Sequence, residues 1–237
     1  LGLPASKVET KLGDTDFPAG PGSGGSWGAS SAGSAVFLAC EEIRKKLAEQ
    51  IGSEETDLAL ANGRAGTGES MRSFADILDG QDISAIGHIE PGKTLEEWQQ
   101  ATYGSYFAEV AVNAVTGETR VKRMLGVFGA GRILNEKTAT SQCYGGMIWG
   151  IGSALTEELV FDDRDGHIVN LDVPQIEVVL LEERDALASP IQAKGIGELG
   201  ICGAAAAVTN AIYNATGIRV RDYPATLDKL LARLPEQ

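Results

Sequence analysis

A chain of 237 residues with 43% hydrophobic and 22% charged residues has globular composition, with room for one large domain or two small ones. Its formal charge of −13 argues against nucleic acid or an anionic membrane as a main partner, since both need a basic face. With 30 glycines and only 6% aromatic residues, much of the core must pack backbone against backbone.

Along the chain, Val8 to Leu12 is a short strand candidate, followed by the glycine, proline and serine loop DFPAGPGSGGSWGASSAG. A helix is predicted from about Ser34 to Gln50. Val36, Cys40, Ile43 and Leu47 form its apolar stripe, Glu41/Lys45 and Glu42/Lys46 are i,i+4 pairs, and Gly52 stops it. Residues 53–100 are polar, with one short helix expected near Met71–Leu78. From Tyr106 the apolar period becomes two. Tyr106, Ala108, Val110 and Val112 lead to a turn at Thr116-Gly117 and a return strand over Val121–Phe128, which is a β-hairpin. A helix then opens near Asn135 and runs to about Glu158, carrying Gly145, Gly146, Gly150 and Gly152. Each helical glycine costs about 1 kcal/mol against alanine, so close approach of a backbone or a cofactor is expected there.

DDRDG (Asp162–Gly166) reads as a β-turn, because a calcium loop with Gly166 at position six would put Phe161 where a carboxylate is needed. IEVVLLE is a strand, the helix after KGIGELG ends at Gly217, and Pro224 precedes a short final helix. The fold class is α+β, a mixed or antiparallel sheet with packed helices and no internal repeat. Cys40, Cys143 and Cys202 form no C-x-x-C and are expected as small buried core residues rather than as a disulfide framework, zinc site or iron–sulfur cluster. No apolar run is long enough to span a membrane. The segment beginning at Leu1 reads like the middle of a fold, so a processed piece or an excerpt is expected.

Gly195, Gly197 and Gly200 spell G-x-G-x-x-G, and Asp222 completes a dinucleotide-binding fingerprint. Three points oppose an NAD site. SPIQA is no buried parallel strand, Glu198 stands where a pyrophosphate would approach, and residues 223–237 leave no room for further β-α-β units. Glycines on both sides of Glu198 instead clear space for a bulky group. A buried carboxylate near a helix start is a candidate general base, or simply a first-turn residue facing the helix dipole. A Ser–His–Asp hydrolase is disfavoured because His88 and His167 are the only histidines and both lie in turn or loop surroundings.

AKGIGELGICGAAAAVTNAIYNATGIRVRDYPAT resembles the C-terminal motif of the molybdenum-binding subunit in the xanthine dehydrogenase/aldehyde oxidase family. SQCYGGMIWGIGSALTEEL resembles that family's Gln-x-x-Gly-Gly helix, GAGRILN its strand-to-helix turn, and GSGGSWGASSAG its serine-rich cofactor loop. The four motifs are co-linear over nearly the whole chain, and the nearest branch is the bacterial periplasmic type of aldehyde oxidoreductase. The resemblance implies that 1–237 is the C-terminal portion of a molybdopterin-binding domain of the molybdenum hydroxylase type, whose upstream half lies elsewhere.

It further implies molybdopterin cytosine dinucleotide carrying molybdenum that the pterin holds, with no metal ligand from the protein. Glu198 would be the catalytic general base in hydroxylation of an aldehyde to a carboxylic acid, water supplying the oxygen. Lys194, Gly195, Ile196 and Gly197 would touch the cofactor, and Gln142 would hydrogen-bond the pterin. Arg132, Ile133, Leu134, Asn135, Glu136, Lys137 and Thr138 would clasp the dinucleotide end. Ser26, Gly28 and Ala29 would lie along it. The helix glycines would give flat access to a planar cofactor.

Implied partners are a small aldehyde, the N-terminal half of the subunit, and iron–sulfur and FAD subunits, with FAD and the clusters confined to those subunits. Neither nucleic acid nor membrane is expected, and the implied location is the periplasm, with the cytoplasm as the alternative. Alternative functions are a non-catalytic cofactor-binding or assembly module and oxidation of an N-heterocycle such as a purine. One departure is that Asn170-Leu171-Asp172 joins HIVN directly to VPQIEVV, where the family has a longer segment.

Overall fold

The computed structural model describes residues 1–22, 24–157 and 174–234. DDRDG and the Asn170-Leu171-Asp172 junction lie outside them. The chain divides into two compact units: Leu1–Ser23, Gly28–Gln99 and Ser189–Ile191 form the first, and Gly24–Trp27, Gln100–Ala188 and Gln192–Gln237 the second. Among the described residues no helix is long and apolar enough to cross a membrane.

The first unit holds α1 (Gly28–Ile51), the strands β1 (Ala59–Ala61), β2 (Arg64–Thr67) and β3 (Ser70–Ser73), and the short helices α2 (Phe74–Leu78) and α3 (Thr94–Glu97). The three strands form an antiparallel meander. Its core is Leu47, Ala48, Leu58, Ala65 and Ile77. Several local expectations change here. Val8 and Leu12 are exposed and form no strand; the only regular piece nearby is a 3-10 turn at Ala5–Lys7. The stripe on α1 is rotated, because Val36 is exposed while Ser34 is buried among the helix's neighbours. Neither expected i,i+4 pair forms a salt bridge, and the Lys46 ammonium donates to the Ser84 carbonyl at 2.9 Å. Met71 lies in β3, so α2 begins only after Ser73, whose hydroxyl caps it by accepting from the Asp76 amide. Gly52 stops α1 as expected, with φ +71°.

The second unit is built on a mixed sheet. β4 (Tyr103–Val112) and β5 (Thr119–Gly129) form the predicted hairpin, with a bulge at Glu109/Val110 and Gly117 at φ +73° in the turn. β6 (Gln175–Leu180) pairs with β5 in parallel. Tyr106, Ala108, Val110, Met124, Phe128, Ile176 and Val178 share the face covered by α4 (Glu136–Leu155) and α5 (Ala204–Thr216), while α6 (Leu227–Leu231) closes one end through buried Leu230. This alternation is the two-residue period of a sheet with one buried face. Phe128 lies flat over the sheet. A Cβ at Gly104 or Gly126 would come within 2.5 Å of its ring, so both neighbours are glycine. α5 ends at Gly217, φ +75°.

Candidate functional site

Residues 192–203 form an irregular segment onto which three other stretches of the second unit converge. The extension of β5 holds its start: the Arg132 amide donates to the Gln192 carbonyl at 2.7 Å, and the Lys194 amide to Ala130 at 3.1 Å. Next, the Gly24–Trp27 loop lies directly on Gly195 and Gly197. A Cβ at Gly195 would fall 2.3 Å from the Gly25 carbonyl oxygen, and one at Gly197 (φ +52°) would fall 3.0 Å from it. From α4, Gln142 Nε2 donates to the Gly197 carbonyl at 2.7 Å. Beyond this point the chain winds through successive turns, Leu199 N to Ile196 O and Ile201 N to Glu198 O, before α5 begins at Ala204.

The α4 glycines meet the close approach expected of them, and at Gly146 and Gly150 it is another stretch of this chain that approaches. Gly195 and Gly197 admit the backbone of the serine loop. Gly146 of α4 admits the turn ahead of α5 and Gly150 admits its start: added Cβ atoms would lie 2.8 Å from Gly200 and 2.4 Å from Ala204 Cβ. Only Gly145 and Gly152 face nothing closer than 3.6 Å, so flat access is confined to that outer side of the helix.

Glu198 is exposed, not buried, and it sits in the turn ahead of α5 rather than in its first turn. The reason is the glycine-rich turn itself, which leaves the helix to start only at the alanine run. The G-x-G-x-x-G follows an isolated bridge between Gly131 and Ala193 and not a parallel strand, which removes the Rossmann geometry. Cys202 is exposed and Cys40 half-buried, which corrects the expectation of a buried core residue for these two; the Cys202 Sγ donates to the Glu198 carbonyl at 3.4 Å. Cys143 is buried as expected, and burial pushes its thiol up to about 11.

The Arg132–Thr138 turn is on the surface, with Arg132, Leu134, Asn135, Glu136, Lys137 and Thr138 exposed and Ile133 half-buried. Asn135 caps α4 by accepting from the Thr138 amide at 3.1 Å, so the sequence placed this helix start to within one residue. Beside it opens a cleft of about 720 Å3, lined by Arg132, Ile133, Glu136 and the 180–184 segment. Ser26 is exposed at φ 64° in the loop on Gly195, whereas Gly28 and Ala29 open α1 in the first unit.

The Lys194 side chain is engaged within the protein. Its ammonium, with 9% of its side chain exposed, bonds Glu183 Oε1 at 2.9 Å, Asp185 Oδ2 at 3.2 Å and the Ala101 carbonyl at 3.0 Å. Burial works against the charge on Lys194, but the two carboxylates outweigh it and raise its pKa. Burial likewise opposes the charge of Asp185, yet Lys194 and the Leu187 and Ala188 amides hold its carboxyl below the usual range. Sequence reasoning missed Glu183, Asp185 and Tyr106. Their only sequence signal was an acidic loop and one aromatic in an alternating strand, and neither names its partner: Lys194 for the two carboxylates and Leu199 for Tyr106.

Residues 1–179 match the family model of the molybdopterin cofactor-binding domain. The chain belongs to that family. It is 47% identical over 247 residues to the aldehyde oxidoreductase molybdenum-binding subunit PaoC of Escherichia coli K12, an alignment covering 100% of this chain and 34% of that protein. It is 32% identical over 253 residues to the probable hypoxanthine oxidase XdhD of the same bacterium, covering 99% and 26%. Among solved structures, quinoline 2-oxidoreductase from Pseudomonas putida 86 matches with a TM-score of 0.74 at 25% identity, over 99% of this chain and 34% of that one. The chain thus spans about a quarter to a third of the length of the curated relatives it matches. The α+β class and the likeness to the xanthine dehydrogenase/aldehyde oxidase proteins both stand.

The donor set suits a phosphate-bearing pterin cofactor. The exposed Arg132 guanidinium and the first amides of the 20-residue α4 can take a phosphate. Glu136 and Glu182 in the same cleft oppose an anion, while Glu183 is already matched by Lys194. Gln142 spends its amide N–H on Gly197 and keeps Oε1 as an acceptor, beside the open backbone at Gly145.

Proposed function

We propose that this chain is the cofactor-binding and base-bearing part of a molybdenum-dependent oxidoreductase that hydroxylates aldehydes to carboxylic acids, with water as the oxygen source. The observation that carries this reading is the convergence of the Gly24–Trp27 loop, the β5 extension and Gln142 on the one segment that presents Glu198. The 47% identity to PaoC over the whole chain favours an aldehyde as the substrate.

When bound, molybdopterin cytosine dinucleotide supplies the redox centre that takes electrons from the substrate carbon. The chain's residues supply the rest. Arg132 and the start of α4 bind the dinucleotide phosphates, and Gln142 Oε1 accepts from the pterin edge. The backbone of 194–197 and Ser26 line the approach, while Lys194 holds that backbone from behind. Glu198, exposed and carried on a braced turn, receives the proton released as water adds to the substrate, which is general-base work. The other two thirds of the subunit bring the remaining cofactor contacts and the substrate pocket, and iron–sulfur and FAD subunits carry the electrons away. We place the complex in the periplasm.

Glu198→Gln keeps the size of the side chain and removes the base. In the complete complex, molybdenum content should be retained while turnover of an aldehyde falls by about 10²–10⁴-fold. Near-normal turnover in that variant would sink the assignment. A second reading, oxidation of an N-heterocycle, draws on the likeness to XdhD and to quinoline 2-oxidoreductase. Comparing kcat/KM for benzaldehyde and hypoxanthine decides between them.

A further inference from the structure

The turn that carries Glu198 has no regular hydrogen-bonded ladder around it, yet it must keep the carboxylate in one place. One side chain reaches into it from the sheet. The Tyr106 hydroxyl of β4 donates to the carbonyl of Leu199, the residue next to Glu198. Its ring also fills the space beside Gly203, where a Cβ would lie 2.3 Å from it. The ring is itself fixed: it meets Phe128 edge-on, with centroids 5.3 Å apart at 70°, and it stands opposite Gly126, over which the Phe128 ring lies. The hydroxyl thus enters the turn from a rigid base in the sheet, across 93 residues of sequence. Burial pushes the phenol up to about 12, so it remains a donor through the working range of pH.

We infer that Tyr106 is a positioning residue for Glu198: its hydroxyl and ring clamp the 199–203 turn so that the neighbouring carboxylate is presented in a single orientation. This deepens the general-base reading above and rests on it. It also gives the Phe128–Gly126 pairing a purpose beyond core packing, since that pairing leaves the Tyr106 ring one place to stand.

The test is Tyr106→Phe in the complete molybdenum-loaded complex, which deletes one oxygen and keeps the ring. Two readouts are taken, amide hydrogen exchange over residues 197–205 and steady-state kinetics with an aldehyde. Loss of one hydrogen bond should speed exchange in Leu199–Gly203 by about fivefold, leaving the rest of the second unit unchanged. It should lower kcat by about fivefold or more, at unchanged KM and molybdenum content. Glu198→Gln, measured in parallel, should lower kcat without altering exchange. Unchanged exchange in Tyr106→Phe overturns the proposal, as does a raised KM at constant kcat. Failure of the complex to assemble also overturns it, because Tyr106 would then be a core residue and not a positioning one. Full turnover in Glu198→Gln alongside faster exchange in Tyr106→Phe would remove the general-base role and leave the clamp standing.

Discussion

The two units use glycine and apolar surface in different ways. In the first, five core residues come from α1, the meander, α2 and the segment before β1. Most of its glycines have open space beside them or lie in turns at positive φ, although Gly66 and Gly87 press directly on backbone. In the second, a continuous core from Met124 to Leu230 is sealed by glycines that bring backbones together: Gly146 on Gly200, Gly150 on Ala204, and Gly195 on Gly25. A core assembled from side chains is tolerant, because side chains adjust. One assembled from backbone contacts is not, since there is nothing to move aside. The proposed site lies entirely in the second kind of packing.

The largest test of that contrast removes an anchor from each core. Phe128→Ala should cost about 3–5 kcal/mol and loosen the whole second unit, because the ring covers Gly104 and Gly126 and is fully buried in that unit's core. Ile77→Ala, at the edge of the small core, should cost about 2 kcal/mol. Urea unfolding followed by far-UV circular dichroism measures both, and equal losses would remove the distinction.

Lys194→Met tests whether the site segment is held by charge as well as by backbone fit. A loss of about 2–3 kcal/mol is expected, below the range for fully buried pairs because Glu183 and Asp185 keep 22% and 26% of their side chains exposed. The pH dependence has a definite sign. Asp185, lowered, contributes stability present above its unfolded value near 3.9 and lost as pH falls through its folded value. Lys194, raised, contributes stability present below its unfolded value near 10.4 and lost as pH rises through its folded value. The difference in Tm between wild type and Lys194→Met should therefore be flat from about pH 5 to about pH 9 and shrink outside it. A difference that varies steadily inside that window would mean another group is responsible.

The smallest effects come from neighbouring glycines on one helix. Gly146→Ala should destabilise by about 1–3 kcal/mol, since its Cβ meets only backbone, at 2.8 Å. Gly145→Ala meets nothing within 4 Å and should stabilise α4 by about 0.5–1 kcal/mol. Chemical denaturation checks both signs. The molybdenum content of the Gly145→Ala complex shows in addition whether the open face of α4 is used by the cofactor.

Local signals were legible where the structure depends on neighbours in the chain. The hairpin, its Gly117 turn, the Asn135 cap of α4 and the Gly217 stop of α5 all appear as read, because each is set by hydrogen bonds spanning a few residues. The first sixty residues were read less well. Val8–Leu12 alternates like a strand but has no partner, and the stripe on α1 turned because packing buried Ser34 instead of Val36. Periodicity reports what a segment could bury, and neighbours decide what it does bury.

The sequence by itself determined the family, the α+β class and the four co-linear motifs, because these are written in residue order and local spacing. Only the tertiary structure decided how those motifs are used. It exposed Glu198, turned Lys194 towards Glu183 and Asp185, filled the space over Gly195 and Gly197 with backbone, and set Tyr106 beneath the turn. Lys194 pairs with the nearby 183–185 loop, while the contacts of Tyr106, Gly195 and Gly197 depend on partners tens of residues away. A contact of that kind is fixed by how the sheet and helices pack, and no local pattern along the chain encodes it.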